Sequence, residues 1–293
     1  MSDQRIIITG YLGFIGSHTV KELEKRGSEV IGYDLKEGND VCDTEKLKNF
    51  IQKGDRILHL AAVARFTDAD ANPAEAYRTN VGGTASVLQA AAEKGAERVV
   101  YSSTGSVLMP LWVNPIRENN VELQGNSHYG FSKAAAEKLF WLPQYTTPYV
   151  ILRYGHLYGE GKVGHGAVNA FLERMQRGLK PVIFGGAQSN EFCYIKDIVQ
   201  ANILAIETEN VNEVYNIGYG KDYTIQQVYE IMNKVLVETG KIKEPIEAEY
   251  GPARNVDAPF FAYDISRAKR LLGYKPVWDL EDGITDMIKE MKL

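Results

Sequence analysis

The stretch RIIITGYLGFIGSH, residues 5–18, joins an apolar run to three glycines that are spaced three residues apart. Arg5–Thr9 contains three consecutive isoleucines, and β-branched residues in a short run predict a buried strand. Ser17–Arg26 has the pattern of a helix and is followed by a glycine that can end it. The spaced glycines therefore lie in a turn between the first strand and the first helix. They are Gly10, Gly13 and Gly16.

A glycine turn at this place suits a pyrophosphate. It lets a ligand approach the backbone, and the helix N-terminus offers unpaired N–H groups and partial positive charge. The next predicted strand, Glu29–Tyr33, is followed by Asp34, at about the offset (~20 residues) where an acid binds the ribose 2′-hydroxyl of a dinucleotide. Because an acid there repels a 2′-phosphate, the pattern favours NAD over NADP. A glycine-rich turn that only closes a strand–helix unit is the alternative.

The first half of the chain continues to alternate strands and helices. The predicted strands are Arg56–Ala62, Arg98–Ser103 and Tyr149–Tyr154. The predicted helices are Asp43–Gln52, Ala74–Lys94 and Ser132–Trp141, with Gly82 and Gly83 weakening the second. This alternation predicts an α/β fold with a Rossmann-type doubly wound parallel sheet, which binds ligands beyond the carboxyl ends of its strands. We therefore expect four residues at strand ends to face a cofactor cleft: Ala61, Ser103, Thr104 and Arg153.

The composition is that of a globular protein, with 44% hydrophobic and 24% charged residues and a net charge of −5. No block of five like charges suggests a nucleic-acid surface, and no apolar run approaches the ~18 residues of a membrane span. The strand at residues 5–9 leaves no room for a signal peptide. Cys42 and Cys193 are predicted to be reduced thiols, and the histidines lack metal-binding spacing. We expect a cytoplasmic protein that binds no nucleic acid, membrane or metal.

The segment HYGFSKAAAEKL, residues 128–139, places Tyr129 and Lys133 four residues apart in a strong helix former. Residues at this spacing share one face of a helix. A free tyrosine, with a pKa of about 10, is a poor base at neutral pH, but a neighbouring ammonium favours the phenolate and lowers that pKa. The pair is therefore suited to remove a proton from a sugar hydroxyl or to donate one to a ketone.

Two alternatives remain open on the residues alone. Tyr158 and Lys162 have the same spacing, but the glycines between them predict a loop rather than a helix. The third catalytic partner is expected to be a hydroxyl at a neighbouring strand end, where hydroxyls also commonly form turns. The candidates are Ser102, Ser103, Thr104 and Ser106.

Together these stretches resemble the extended short-chain dehydrogenase/reductases of the NAD-dependent nucleotide-sugar epimerase/dehydratase family. The resemblance runs over nearly the whole chain. It rests on the order of many short motifs: TGYLGFIGSH (9–18), GNDV (38–41), HLAA (59–62), NVGGT (80–84), VYSSTGSV (100–107), YGFSK (129–133), LRYGHLYG (152–159), FCYIKDI (192–198), YNIGYG (215–220) and ISRAKRLLGYKP (265–276).

The resemblance implies a set of site residues. Tyr129, helped by Thr104, takes the proton from a sugar hydroxyl while hydride passes to NAD, and Lys133 binds the nicotinamide ribose. The implied substrate-binding residues are Thr104, His156 and Arg254. The implied cofactor-binding residues are Gly10, Gly13, Phe14, Ile15, Gly16, Asp34, Asp40, Val41, Leu60, Ala61, Ala62, Asn80, Ser102, Ser103, Tyr129 and Lys133.

Within the family, the residues after the active-site hydroxyl favour epimerisation. The 4,6-dehydratases and the sugar-acid decarboxylases carry an acid there, whereas Thr104 is followed by Gly105 and Ser106. We therefore expect C4 epimerisation of a UDP-hexose such as UDP-glucose/UDP-galactose. A net keto-sugar reductase needs the same three residues, and a non-catalytic dinucleotide-binding protein is the remaining alternative.

The sequence departs from the family pattern at three places. His156 replaces the asparagine of LRxxNxYG, and Asn190-Glu191 replaces the usual Arg-Asp, so that one phosphate-binding arginine is missing. Arg254, in GPARNVD, matches the second such arginine and is suited to pair with a diphosphate. The link between Asp34 and HLAA is short, which predicts that a helix is absent beside the adenine pocket.

Beyond Gly159 the alternation ends in GEGKVGHGA, a predicted loop and hinge. We expect an NAD-binding domain at residues 1–162, to which part of 192–218 returns, and a smaller α/β substrate lobe at 163–293. The predicted elements of this lobe are a helix at Val168–Arg177, a strand in PVIFGG, and helices at Tyr223–Val237 and Asp264–Leu272. Its aromatics, Phe171, Phe184, Phe192 and Tyr194, are candidates for stacking on a base, although most aromatics are core. The Ala-rich helices support the family expectation of a homodimer.

Overall fold

The protein is built around a six-stranded parallel sheet. A computed structural model describes residues 4–108, 114–119, 123, 125, 127–161, 166–253 and 260–291. The sheet order is β2-β1-β3-β4-β5-β9. The strands are β1 (Arg5–Thr9), β2 (Glu29–Tyr33), β3 (Arg56–His59), β4 (Arg98–Thr104), β5 (Tyr149–Tyr154) and β9 (Glu213–Ile217).

β1 pairs in parallel with β2 on one side and with β3 on the other, so the chain reverses its winding between β1 and β3. This is the topological switch point of a doubly wound sheet, and the predicted α/β fold is confirmed. The usual strand outside β2 is absent from the described sheet. Only a 3₁₀ turn, Leu35–Glu37, and one short helix connect β2 to β3, as the short link predicts.

Helices cover both faces of the sheet. α1 (Phe14–Lys25) and α8 (Ile195–Glu207) pack on one face, and α2 (Thr44–Phe50), α5 (Thr84–Lys94) and α6 (His128–Leu139) pack on the other. Successive strand residues point to opposite faces, so Ile6 and Ile8 belong to one core and Ile7 to the other.

The predicted long helix at 74–94 is interrupted where the sequence places its two glycines. It forms α4 (Pro73–Tyr77), a π-helical stretch Arg78–Gly83, and then α5. A Cβ on Gly83 would lie 2.7 Å from Cγ2 of Val41, so the glycine allows the Asp40–Val41 loop to approach. A further short helix, α3 (Phe66–Ala71), precedes α4 and was not predicted.

α6 begins at His128, four residues before the predicted start, because Ser127 caps it by accepting the Gly130 N–H. Tyr129 and Lys133 therefore both lie on the helix, as their spacing predicts. β3 ends at His59, so the remainder of the predicted strand 56–62 is loop.

The described residues that lie outside the parallel sheet and its covering helices, from residue 156 onward, are called the second lobe here. They contain two small sheets and three helices. β6 (His156–Tyr158), β8 (Ser189–Tyr194) and β10 (Asp222–Thr224) form one sheet, and β7 (Val182–Phe184) and β11 (Glu249–Gly251) form the other. The helices are α7 (Ala167–Gln176), α9 (Ile225–Glu238) and α10 (Leu280–Glu290).

Two helix predictions in this lobe need correction. Residues 222–224 pair with β8 as a strand, so the helix predicted at 223–237 begins at Ile225, after the Thr224 cap. The prediction for 264–272 is shortened, because a π-helical turn occupies only Ala268–Leu272. α8 and β9 lie with the parallel sheet, whereas the division at residue 162 stays a prediction. Within the described ranges, no helix is both long and apolar enough to span a membrane.

Gly10 tests how tightly the first turn is built. Its φ is +72°, and a Cβ would lie 2.7 Å from the Ala61 nitrogen. Gly27 has a φ of +79° with no atom within 4 Å of such a Cβ, and is the matched control. We expect Gly27→Ala to lower the free energy of unfolding, measured with denaturant, by about 1–2 kcal/mol because of backbone strain alone. Gly10→Ala should lower the free energy of unfolding by clearly more, because it must also displace the Ala61 loop. Equal losses would show that close packing at Gly10 is unimportant.

Candidate functional site

A cleft of about 1950 Å³ opens at the carboxyl ends of the parallel strands and extends beneath the second lobe. The site residues that the family resemblance implies line this cleft, with two exceptions. Asn80 is buried behind the wall, and Arg254 lies outside the described residues. The second lobe contributes Phe171, Phe184, Phe192 and Asn190, whereas the fourth predicted aromatic, Tyr194, is a buried core residue.

The glycine turn is held against the end of β2 by Asp34. One carboxylate oxygen accepts the Leu12 N–H at 3.1 Å and the other accepts the Lys36 N–H at 2.9 Å. A Cβ on Gly16 would lie 2.5 Å from the Gly10 carbonyl oxygen, so only glycine permits this close turn. The result is a cradle without side chains at the start of α1, beside a buried acid, which fits a dinucleotide pyrophosphate and ribose.

Asp40 is fixed next to this cradle. Its carboxylate accepts the Cys42 N–H at 2.9 Å and the Arg78 Nη1 at 2.9 Å. Burial raises the pKa of Asp40, but these two hydrogen bonds outweigh it and hold the pKa below its usual value. The loop that carries Val41 is therefore rigid and negatively charged where the adenine end of a dinucleotide is expected.

A buried hydrogen-bonded chain behind the cleft was missed by the sequence analysis. Thr9 Oγ1 lies 2.7 Å from His59 Nδ1, and His59 Nε2 lies 3.1 Å from Thr84 Oγ1. Thr84 donates to the Asn80 carbonyl at 2.6 Å, which assigns the histidine proton to Nε2. Burial, with a contribution from the Lys133 charge, lowers the pKa of His59 to about 3, so this imidazole stays neutral.

Asn80 joins this chain to the helix that carries the catalytic candidates. Its amide donates to the Val63 carbonyl at 3.1 Å and to Ser132 Oγ at 2.8 Å, and its carbonyl accepts the Val63 N–H at 2.8 Å. The side chain thus ties the loop after β3 to α6. Direct cofactor binding by Asn80 stays a prediction, and the contacts described give it a supporting position.

The geometry separates the four hydroxyls that the sequence left open. Thr104 faces the Tyr129 phenol, where hydrogen bonding from Thr104 opposes the rise in the tyrosine pKa that burial causes. Ser102 donates to the His59 carbonyl at 3.0 Å, and Ser103 donates to a carboxylate oxygen of Glu137. Ser106 bonds to Thr104 rather than to the tyrosine. Thr104 is therefore the hydroxyl placed to act with Tyr129.

The pKa values of Tyr129 and Lys133 differ from those expected from the sequence. Burial raises the pKa of Tyr129 to about 12, and only the Thr104 hydrogen bond opposes it. Burial also lowers the pKa of Lys133 to about 7, against the attraction of Glu137. The expectation that the ammonium lowers the tyrosine pKa is wrong for these residues alone, because the buried lysine is only partly protonated near pH 7. Its Nζ instead lies 4.1 Å from the Tyr101 ring centroid.

Phe66, on the unpredicted helix α3, contacts the tyrosine from the open side. The two ring centroids are 5.2 Å apart at 73°, and Phe66 lines the cleft. The sequence offered no signal for this contact, since no element was predicted between residues 62 and 74. Arg153 also differs from expectation: it does not face the cleft but is buried in an ion pair with Glu137.

The positions where the sequence departs from the family pattern have distinct surroundings. His156 is exposed in the cleft, with its ring centroid 6.2 Å from that of Phe192 and 5.6 Å from that of Phe261. Asn190 also lines the cleft. Glu191 is turned inward, where its carboxylate accepts the N–H groups of Gly220 and Tyr263. Burial raises the pKa of Glu191 to about 7.

Known proteins resemble this chain over its full length. Residues 6–218 match the NAD dependent epimerase/dehydratase family. The UDP-glucose 4-epimerase of Thermotoga maritima, solved with UDP-glucose, is 31% identical, with a TM-score of 0.87 and 98% of both chains covered.

Two other solved relatives differ in their ligands. The UDP-N-acetylglucosamine 4-epimerase of Methanobrevibacter ruminantium, solved with UDP-N-acetylmuramic acid, is 28% identical, with a TM-score of 0.87 and 99% of this chain and 100% of that chain covered. The UDP-glucuronic acid 4-epimerase of Bacillus cereus, solved with UDP-glucuronic acid and NAD, is 26% identical, with a TM-score of 0.84 and 98% and 99% covered.

Proposed function

The chain belongs to the NAD dependent epimerase/dehydratase family, and from this premise we propose that it inverts C4 of a UDP-hexose, such as UDP-glucose/UDP-galactose, through a 4-keto intermediate. It is an NAD-dependent enzyme of the short-chain dehydrogenase/reductase type. The observation that carries the proposal is that Thr104, Tyr129 and Lys133 line one cleft at the strand ends, with Lys133 one helical turn from Tyr129. The predictions of a homodimer and of a cytoplasmic location stay predictions.

The residues present fit NAD. The glycine turn would hold the pyrophosphate at the start of α1, because only glycine at residue 16 lets the turn close this tightly: a Cβ there would lie 2.5 Å from the Gly10 carbonyl oxygen. Asp34 would bind the adenosine ribose, and Asp40 with Val41 would flank the adenine. Lys133 would bind the nicotinamide ribose. When bound, NAD supplies a hydride acceptor and a positively charged ring.

The chain's own contribution is proton transfer. Thr104, whose hydroxyl donates to Ser106 Oγ at 3.3 Å in this structure, would turn that proton toward the Tyr129 oxygen and stabilise the phenolate. Tyr129 then accepts the proton of the sugar hydroxyl and returns it when the keto sugar is reduced on its other face. Because its pKa is about 12 in these surroundings, Tyr129 needs a further positive charge to act as a base near neutral pH. A protonated Lys133 and the bound cofactor are the two available sources.

The position after Thr104 supports epimerisation over loss of water. A Cβ on Gly105 would lie 2.3 Å from Cζ of Phe261 and 2.7 Å from the Tyr263 hydroxyl. A carboxylate therefore cannot be accommodated at residue 105 without moving both rings. The acid that the dehydratases and decarboxylases of the family carry after the hydroxyl is excluded here by packing as well as by sequence.

The similar solved structures differ in their sugars but share uridine diphosphate. This supports a UDP-sugar, and a panel of nucleotide sugars decides which sugar is turned over. Purified holoprotein should be incubated with UDP-glucose, UDP-N-acetylglucosamine, UDP-glucuronic acid, and dTDP- and GDP-hexoses. We expect the C4 epimer of UDP-glucose to form without added NADH. Stoichiometric consumption of NADH would identify a reductase, and binding of NAD without turnover of any sugar would identify a non-catalytic protein.

Tyr129→Phe tests the base. The substitution keeps the ring and its contact with Phe66 but removes the proton acceptor. We expect turnover to fall by about 10²–10⁴-fold, with bound NAD and melting temperature retained. Tyr229→Phe is the matched control, because that hydroxyl bonds only the Ile246 carbonyl, at 3.0 Å, in the second lobe. Full activity in Tyr129→Phe would remove the tyrosine from the mechanism.

A further inference from the structure

α6 carries a third ionisable residue in line with the catalytic candidates. Tyr129, Lys133 and Glu137 are spaced four residues apart, so they follow one another on one face of the helix. Glu137 is fully buried, and Lys133 is almost so. A carboxylate is costly to bury without partners, so its surroundings need an explanation.

The Glu137 carboxylate accepts hydrogen bonds from three donor groups, two on Arg153 and one on Ser103. Arg153 on β5 donates from Nε to Oε1 at 3.0 Å and from Nη2 to Oε2 at 2.8 Å. Ser103 on β4 donates to Oε1. Arg153 also donates from Nη1 to the Glu118 carbonyl at 2.9 Å. The bidentate pair fixes the carboxylate against the sheet and gives it the charged partner that its burial requires.

The charge of Glu137 acts on Lys133, one helical turn away. The other groups that face the lysine carry no negative charge to offset its burial. His59 on β3 is neutral, since its pKa is about 3. Burial raises the pKa of Tyr101 on β4 well above the usual value, so it too is neutral, and Tyr129 is a neutral phenol until it reacts. In the described part of the chain, Glu137 is the carboxylate whose attraction opposes the desolvation of Lys133.

We propose that Glu137, clamped by Arg153 and Ser103, is a positioning residue that favours the protonated form of Lys133 in the cleft and anchors α6 to the strand that carries Thr104. The inference rests on the proposed function, in which Lys133 acts as a cation beside Tyr129. Arg153 has a double effect. It holds the Glu137 carboxylate in place, but its own positive charge weakens the attraction that Lys133 feels. When Glu137 alone is removed, the buried positive charge of Arg153 is no longer balanced, and it disfavours the protonated form of Lys133.

The direct test is the titration of Lys133 in the holoprotein. Lysine labelled with ¹³C at Cε reports each ammonium by NMR, and Lys133→Met assigns the resonance. We expect Glu137→Gln to lower the pKa of Lys133 by about one unit or more. The alkaline limb of the turnover profile should move to lower pH by the same amount. Glu137→Asp, which keeps the charge, should recover most of both.

A double variant separates charge from stability. Glu137→Gln leaves the buried Arg153 without a charged partner and lowers the stability of the fold. Glu137→Gln/Arg153→Met removes both charges, so its melting temperature should be closer to that of the wild type. We expect the Lys133 pKa to fall in the order wild type, double variant, Glu137→Gln. A wild-type pKa in the folded double variant or in Glu137→Gln would overturn the proposal. Because the titration needs no sugar, it stands or fails independently of the epimerase activity.

Discussion

The parallel pairing of β1 with β2 on one side and β3 on the other is the constraint on which the site depends. Because the chain reverses its winding there, the loops after β1 and β3 diverge and leave a crevice at the carboxyl edge of the sheet. Every strand that follows in parallel delivers its last residues to the same edge. The glycine turn, Asp34, the Ala61 loop and Thr104 meet there although up to 94 residues separate them in sequence.

Two networks of buried polar residues behind that edge are paired internally. The chain from Thr9 through His59 and Thr84 to Asn80 pairs each donor with an acceptor, and Glu137 with Arg153 pairs two charges. An unpaired member would cost about 1–3 kcal/mol or more, so these networks fix the positions of β3, β4, β5 and α6. The same burial shifts the catalytic candidates: it favours neutral forms of both Tyr129 and Lys133. Tyr129 therefore needs a further positive charge, from a protonated Lys133 or from the bound cofactor, to act as a base.

Local patterns in the sequence were enough to predict the parallel strands, the glycine turn and the helical pair Tyr129/Lys133. Features set by distant contacts were not predictable in this way. α3 and α8 gave no decisive local signal, and choosing Thr104 over Ser102 or Ser103 from the residues alone requires the register of β4 against α6. The predicted direction of the pKa shift of Tyr129 was wrong, because the spacing of two residues does not reveal how deeply they are buried. The spacing of Glu137 was visible, but its partner Arg153 was expected in the cleft rather than beneath it.

In the proposed function Tyr129 moves only the proton of the sugar hydroxyl, and NAD held across the strand ends would supply the hydride acceptor for the carbon that is inverted. A nucleotide sugar that carries deuterium at the inverted carbon tests this directly in holoprotein without added cofactor. The account predicts that both epimers recovered at equilibrium retain the deuterium, because the cofactor carries it and stays bound. Exchange of the label with water during inversion would show that a proton is removed from carbon instead, and would contradict the account.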